Sequence, residues 1–249
     1  MPRFCANLTL LFTEYPLVDR IAAARDAGFD AVEILWPDLD EAATLRRTLD
    51  AAGIPLALIN TPAGDTWGSA ARSRTEFHRD FSQTLAIADV LRPRFVHIMA
   101  GLASDPEARK IFTDNLRHAC DHAPDQQFAI EPISPQTVAG YFLDDFDLAA
   151  EIISDVNRPN LSLQLDMFHA HNMTGDAPAL WQRMKPHTAH IQIAGVPDRH
   201  EPIGGDLDYP TLFAQLDADG YGGFVSAEYH PKGRTEDGLT WLPKIPELS

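Results

Sequence analysis

Cysteine is scarce: Cys5 and Cys120 are the only two in 249 residues. Two thiols cannot build a disulfide framework, so reduced, buried cysteines are expected rather than a stapled secreted domain. Long apolar runs are missing too, and none approaches the roughly 18 residues that would span a bilayer. Met1-Pro2-Arg3-Phe4 leads straight into a strand-like segment without the hydrophobic stretch of a signal peptide, so the expected location is the cytoplasm. Basic residues are the third shortage, with 20 Lys and Arg against 36 Asp and Glu, a formal net charge of −16. A phosphate backbone needs a basic face, so nucleic acid is not an expected partner. A small anion, which a few local cations can hold, is compatible with that charge. No Walker loop, Gly-x-Gly-x-x-Gly, Gly-x-Ser-x-Gly or His-Glu-x-x-His occurs, so nucleotide and flavin cofactors have no support.

Short apolar runs alternate with amphipathic stretches throughout. Strands are expected near 4–8, 31–35, 56–60, 94–99, 127–131, 161–166, 188–193 and 223–228. Helices are expected near 16–26, 40–51, 73–90, 105–121, 144–155, 177–185 and 209–218, with a last short one near 235–242. Such alternation calls for a parallel sheet, and its count and length point to an α/β (β/α)8 TIM barrel, one domain over 1–249. A doubly wound open sheet is the competing architecture.

Barrel strands point alternate residues inward, and the outward set must be apolar to meet the helices. In Leu161-Ser162-Leu163-Gln164-Leu165-Asp166 the leucines face the helices, which turns Ser162, Gln164 and Asp166 inward. The same parity turns Glu131, His190 with Gln192, and Ser226 with Glu228 inward. Four successive strands thus end on an inward oxygen-bearing residue: Glu131, Asp166, Gln192 and Glu228. The C-terminal rim is where such barrels place their chemistry, so the four should converge. Two like charges about 4 Å apart repel by roughly 4 kcal/mol at an effective dielectric near 20. Three such pairs would rival the ~5–15 kcal/mol stability of a domain. The cluster therefore needs a cation, protons or basic partners. An all-oxygen set suits Mg²⁺ or Mn²⁺, one per chain, better than Zn²⁺.

Eight short motifs in order extend this reading. They are Phe4-Cys5-Ala6-Asn7-Leu8, Gly28 to Glu33, Asn60 to Asp65, Ile130-Glu131-Pro132-Ile133 and Gln164 to His169, then His190 to Ala194, Arg199-His200-Glu201-Pro202 with Gly204 to Tyr209, and Gly223 to Tyr229. With them the chain resembles the hydroxypyruvate isomerase family, a branch of the xylose-isomerase-like TIM barrels that includes 2-oxotetronate isomerases and is related to the ketose 3-epimerases. The resemblance implies a divalent metal held by Glu131, Asp166, Gln192 and Glu228, with Gln192 standing where the epimerases have His. It implies that Glu131 and Glu228 also move protons, and that His169 and Arg199 contact substrate oxygens. Between Asp65 and Phe77 the chain is several residues shorter than the family pattern.

The implied reaction interconverts hydroxypyruvate and tartronate semialdehyde by proton transfer through an enediolate. A 2-oxotetronate isomerase or a ketose 3-epimerase would use the same metal site. Asn60 and His97 are further substrate-side candidates, and Glu33 is expected to reach the site or to pair with Arg3. His190 lies one layer deeper than Gln192, where packing is expected. From another class, the same fold hosts abasic-site endonucleases, but Gln192 and the charge of −16 argue against a His-rich zinc site on a basic face. A barrel without catalysis would have no reason to keep the four-residue set. The expected partner is a small hydroxy-keto acid, and a homodimer is the default assembly.

Overall fold

The structure is a computed structural model that describes residues 1–243; the last six residues of the expected domain, 244–249, lie outside them. Eight parallel strands alternate with helices around a common axis. The strands are β1 (Arg3–Asn7), β2 (Ala31–Glu33), β3 (Leu58–Asn60), β4 (Phe95–His97), β5 (Gln127–Ile130), β6 (Leu161–Asp166), β7 (Thr188–Ile193) and β8 (Phe224–Ala227). The helices are α1 (Leu17–Asp26), α2 (Leu39–Ala52), α3 (Arg74–Leu91), α4 (Ala108–His122), α5 (Phe146–Val156), α6 (Met167–Thr174), α7 (Ala177–Met184) and α8 (Tyr209–Ala218). Ladder pairing runs β2-β1-β8-β7-β6-β5-β4-β3. The remaining seam is bridged by single bonds, among them Ala57 N to Val32 O at 2.7 Å and Asn60 N to Leu35 O at 2.7 Å. The TIM barrel expectation holds, and the open sheet does not.

Strand parity explains both layers of the interior. Leu161, Leu163, Leu165, Ile191, Ile193 and Val225 face the helix ring and are buried in the main core. Inward residues near the strand starts, including Ala31, Leu58, Phe95 and Phe224, form a separate apolar plug with Cys5 and Ala129. That plug is the dry floor beneath the polar upper layer. A register shift between Leu163 and Gln164 lets Leu163 pair with Thr188 but Gln164 with His190. The shift passes over Ala189 and sets Asp166 opposite Gln192.

Two elements differ from expectation. α6 follows β6 without a loop and was not expected, while the segment expected as a helix near 235–242 is a 3₁₀ helix over Thr235–Trp241. Near the rim, Gly68 bridges Ala100 at a φ of 118°, and a Cβ there would meet Met99 O at 2.4 Å. Gly68→Ala is therefore expected to destabilise the protein by at least roughly 1–3 kcal/mol, the usual cost of such strained backbone. Urea unfolding measures this, and an unchanged midpoint would refute it.

Candidate active and metal site

Asp166 ends β6 and also begins α6. Its Oδ1 accepts the Phe168 N–H at 2.7 Å as the helix N-cap, a place where the helix dipole favours a carboxylate. The first turn then carries His169 back over it, with Nε2 at 3.5 Å from Asp166 Oδ2. The Asp166-x-x-His169 spacing thus puts both side chains on one side of the rim. Ser134, in the loop after β5, holds the other ring nitrogen: its N–H donates to His169 Nδ1 at 3.4 Å, and its Oγ lies at 3.1 Å. With Nδ1 accepting, a neutral ring carries its proton on Nε2. Burial pushes the His169 pKa down to about 4, against the pull of Asp166, so the ring is neutral near pH 7. Ser134 was missed in the sequence because nothing in its loop sets it apart from other turn serines.

Glu131 and Glu228 each follow directly on the last residue of β5 and β8 and are 5 % and 8 % exposed. Burial, then the charges of Glu228 and Asp166, hold the Glu131 carboxyl well above the usual carboxylate range, and its Oε1 has no hydrogen-bond partner. Burial likewise pushes Glu228 up to about 8, with Arg199 opposing the rise. Single oxygens of Glu131 and Asp166 and one nitrogen of His169 lie within 4.8 Å of one another.

Arg199 enters from the loop after β7, at a φ of 56°. Its Nη2 reaches Glu228 Oε2 at 3.2 Å and Asp166 Oδ2 at 3.5 Å, and its guanidinium lies 5.1 Å from the Phe168 ring centre. Burial opposes its charge, but Glu228, Asp166 and Glu131 outweigh that and hold its pKa up. One guanidinium faces three carboxylates, so the cluster keeps excess negative charge unless it binds protons or a cation.

Gln192 is fully buried on β7; its Nε2 donates to Glu33 at 2.9 Å and its Oε1 accepts from Gln164 Nε2 at 2.6 Å. His97 is buried with both ring nitrogens unpartnered and its Nδ1 3.7 Å from Glu131 Oε2. Burial, with His190, pushes its pKa down to about 3. Asn60 is 8 % exposed, and its Oδ1 has no partner. Glu33 does not pair with Arg3, which lies 4.6 Å from the Phe224 ring centre at the opposite end of the barrel. His190 is more than packing, since its Nε2 donates to Glu33 at 2.8 Å. A surface groove of about 860 Å³ between the 202–210 loop, α8 and Trp241 contains none of these side chains.

Comparison with known proteins bears on the family and the fold. The family model described as xylose isomerase-like TIM barrel matches residues 21–245. A protein of Haemophilus influenzae named 2-oxo-tetronate isomerase is 40% identical, covering 98% of this chain and 99% of its own. A human protein provisionally named a hydroxypyruvate isomerase is 39% identical over 96% of this chain and 94% of its own. A Brucella melitensis crystal structure titled as an AP endonuclease of family 2 superposes with a TM-score of 0.92 at 40% identity, over 97% of this chain and 98% of that one. Matched across nearly its whole length by family model, sequence relatives and structure alike, the chain belongs to the xylose isomerase-like TIM barrel family.

Proposed function

We propose that this protein is a divalent-metal-dependent isomerase that interconverts hydroxypyruvate and tartronate semialdehyde. The observation that carries the reading is the buried rim cluster, in which the Glu131 oxygen is orphaned among the carboxylates of Asp166 and Glu228. Its donors are hard oxygens, which fits Mg²⁺ or Mn²⁺ held by Glu131, Asp166, Gln192 and Glu228. Bound there, the ion would supply a Lewis acid that makes the substrate C–H bond more acidic and offsets negative charge on its oxygens.

The chain's own residues carry the rest. The reaction removes a proton from C3 and delivers one to C2, while the hydroxyl proton passes from the C3 oxygen to the C2 oxygen. Glu131 and Glu228, each just past the end of its own strand, are the carboxylates that take and return the carbon proton. His169, with its proton on Nε2, donates to a substrate oxygen, and Ser134 keeps the ring in that tautomer. Arg199 offers a bidentate fork to the substrate carboxylate, a group that a free ketose lacks. Asn60 and His97 stand on β3 and β4 with unpartnered polar atoms and would contact substrate from that side.

Names of relatives favour a second substrate on the same chemistry, a 2-oxotetronate, since proteins so named are 39–40% identical to this chain. Nucleic acid does not fit, because the net charge is −16. The free, buried thiols Cys5 and Cys120 suit a reducing cytoplasm. The test incubates the Mn²⁺-loaded protein with hydroxypyruvate and, in a parallel tube, a 2-oxotetronate, followed by proton NMR. Metal-dependent conversion of hydroxypyruvate is expected. Conversion of the four-carbon acid alone would move the substrate, and conversion of neither would overturn the isomerase reading.

A further inference from the structure

Beneath the rim cluster sits a carboxylate that the mechanism does not use. Glu33, on β2, is fully buried and accepts three hydrogen bonds. Asn7 Nδ2 and Gln192 Nε2 each donate to Oε1 at 2.9 Å, and His190 Nε2 donates to Oε2 at 2.8 Å. The Gln192 amide therefore turns its nitrogen toward Glu33 and its oxygen away. The oxygen then lies on the β6 side, where Gln164 Nε2 meets it at 2.6 Å and where Asp166 is the register partner of Gln192. A carboxamide ligates a hard cation through oxygen. Gln164 uses one lone pair of that oxygen and leaves the other.

We propose that Glu33 is a positioning residue that locks the Gln192 side chain with its oxygen available to a divalent cation. The inference rests on the metal-dependent reading above, and it extends that reading to a residue that touches neither metal nor substrate. Glu33 also ties β1 and β2 to β7 across the barrel, so a purely structural role is the alternative.

Reach and charge separate the two. Glu33→Asp keeps the charge and shortens the reach, so Gln192 loses its acceptor. Glu33→Gln keeps the reach: its oxygen still accepts from Gln192, and its amide can donate to His190 once that ring shifts its proton to the unpartnered Nδ1. Mn²⁺ affinity is measured by calorimetry on the chelator-stripped protein, beside a thermal melt of each variant. Expected is a 10–100-fold loss of Mn²⁺ affinity in E33D and a loss within about threefold in E33Q, the range typical of groups that orient a ligand. Affinity unchanged in E33D, or lost as strongly in E33Q, overturns the proposal. If E33D does not fold, Gln164→Leu decides. Retained affinity there leaves Glu33 as the group that sets the amide, whereas lost affinity assigns the role to Gln164 and overturns the proposal. A wild-type protein that binds no Mn²⁺ removes the metal reading itself, an outcome distinct from a failure at Glu33 alone.

Discussion

Replacing Glu228 by Gln is expected to cut kcat by roughly 10²–10⁴-fold, the usual worth of a positioned acid or base, while the protein stays folded. The substitution keeps the shape of the side chain and the oxygen that faces Arg199 Nη2 at 3.2 Å. What it removes is the ability to take up and release a proton, together with the charge Glu228 offers a cation. Near pH 7 the Glu228 carboxyl of the metal-free protein holds its proton, and Gln keeps that neutral shape, so the melting temperature of the stripped variant should hold. Loss of turnover therefore could not be ascribed to unfolding. Turnover within tenfold of wild type would remove Glu228 from the proton-transfer role.

Stripping the divalent ion is expected to abolish turnover and to leave a protein whose stability declines with pH in a defined window. Glu131 and Glu228 hold their protons more tightly in the folded chain than in the unfolded one. Their contribution to stability is complete below the ordinary value of 4.5 and is lost as pH rises, for Glu228 through about 8. His97 and His169 act in the opposite sense. Their neutral forms contribute stability that is present above 6.5 and lost as pH falls, through about 3 for His97 and about 4 for His169. Between about pH 7.5 and 8 the two histidines are nearly neutral in the folded and unfolded chain alike, so Glu228, with Glu131 acting in the same direction, sets the slope there. Across that span the stripped protein should lose up to about 1.4 kcal/mol per pH unit for each proton released. A bound cation supports the ionised carboxylates, so the gap in melting temperature between Mg²⁺-loaded and stripped protein should widen from pH 6.5 to 8. Parallel melting curves for the two forms would contradict this electrostatic account.

Much of the architecture was legible because a two-residue period fixes which strand side chains face in. Leu161, Leu163 and Leu165 face the helices, and Gln164 and Asp166 line the interior. The same period brought out Glu131, Gln192 and Glu228, and the structure places all of them in the upper barrel, nearly closed to solvent. What stayed hidden depends on partners far apart in sequence. α6 was not foreseen because Met167–Thr174 has polar residues at several positions and no clear apolar stripe; the signal that could have found it is Asp166 at its N-cap and Gly175 at its end. Glu33 was expected to reach the site or to pair with Arg3; it is linked to His190, 157 positions away, across the barrel interior. Parity alone reports that a residue points inward, not at which height it meets its partners. The His169 tautomer was likewise beyond reach, since it depends on the Ser134 N–H, 35 positions away in the loop after β5.

The central claim is that one divalent ion sits among Glu131, Asp166, Gln192 and Glu228. Mn²⁺ titration of the stripped protein, read by calorimetry beside the Asp166→Asn variant, tests it most directly. Asp166 is fully buried and caps α6 through Oδ1, a contact that Asn can keep because its oxygen still accepts from Phe168 N–H. The account predicts one site per chain in the wild type and an affinity loss of roughly 100-fold or more in a folded Asp166→Asn protein, as expected when a charged ligand is neutralised. Absence of binding in the wild type, or equal binding in both proteins, would contradict it.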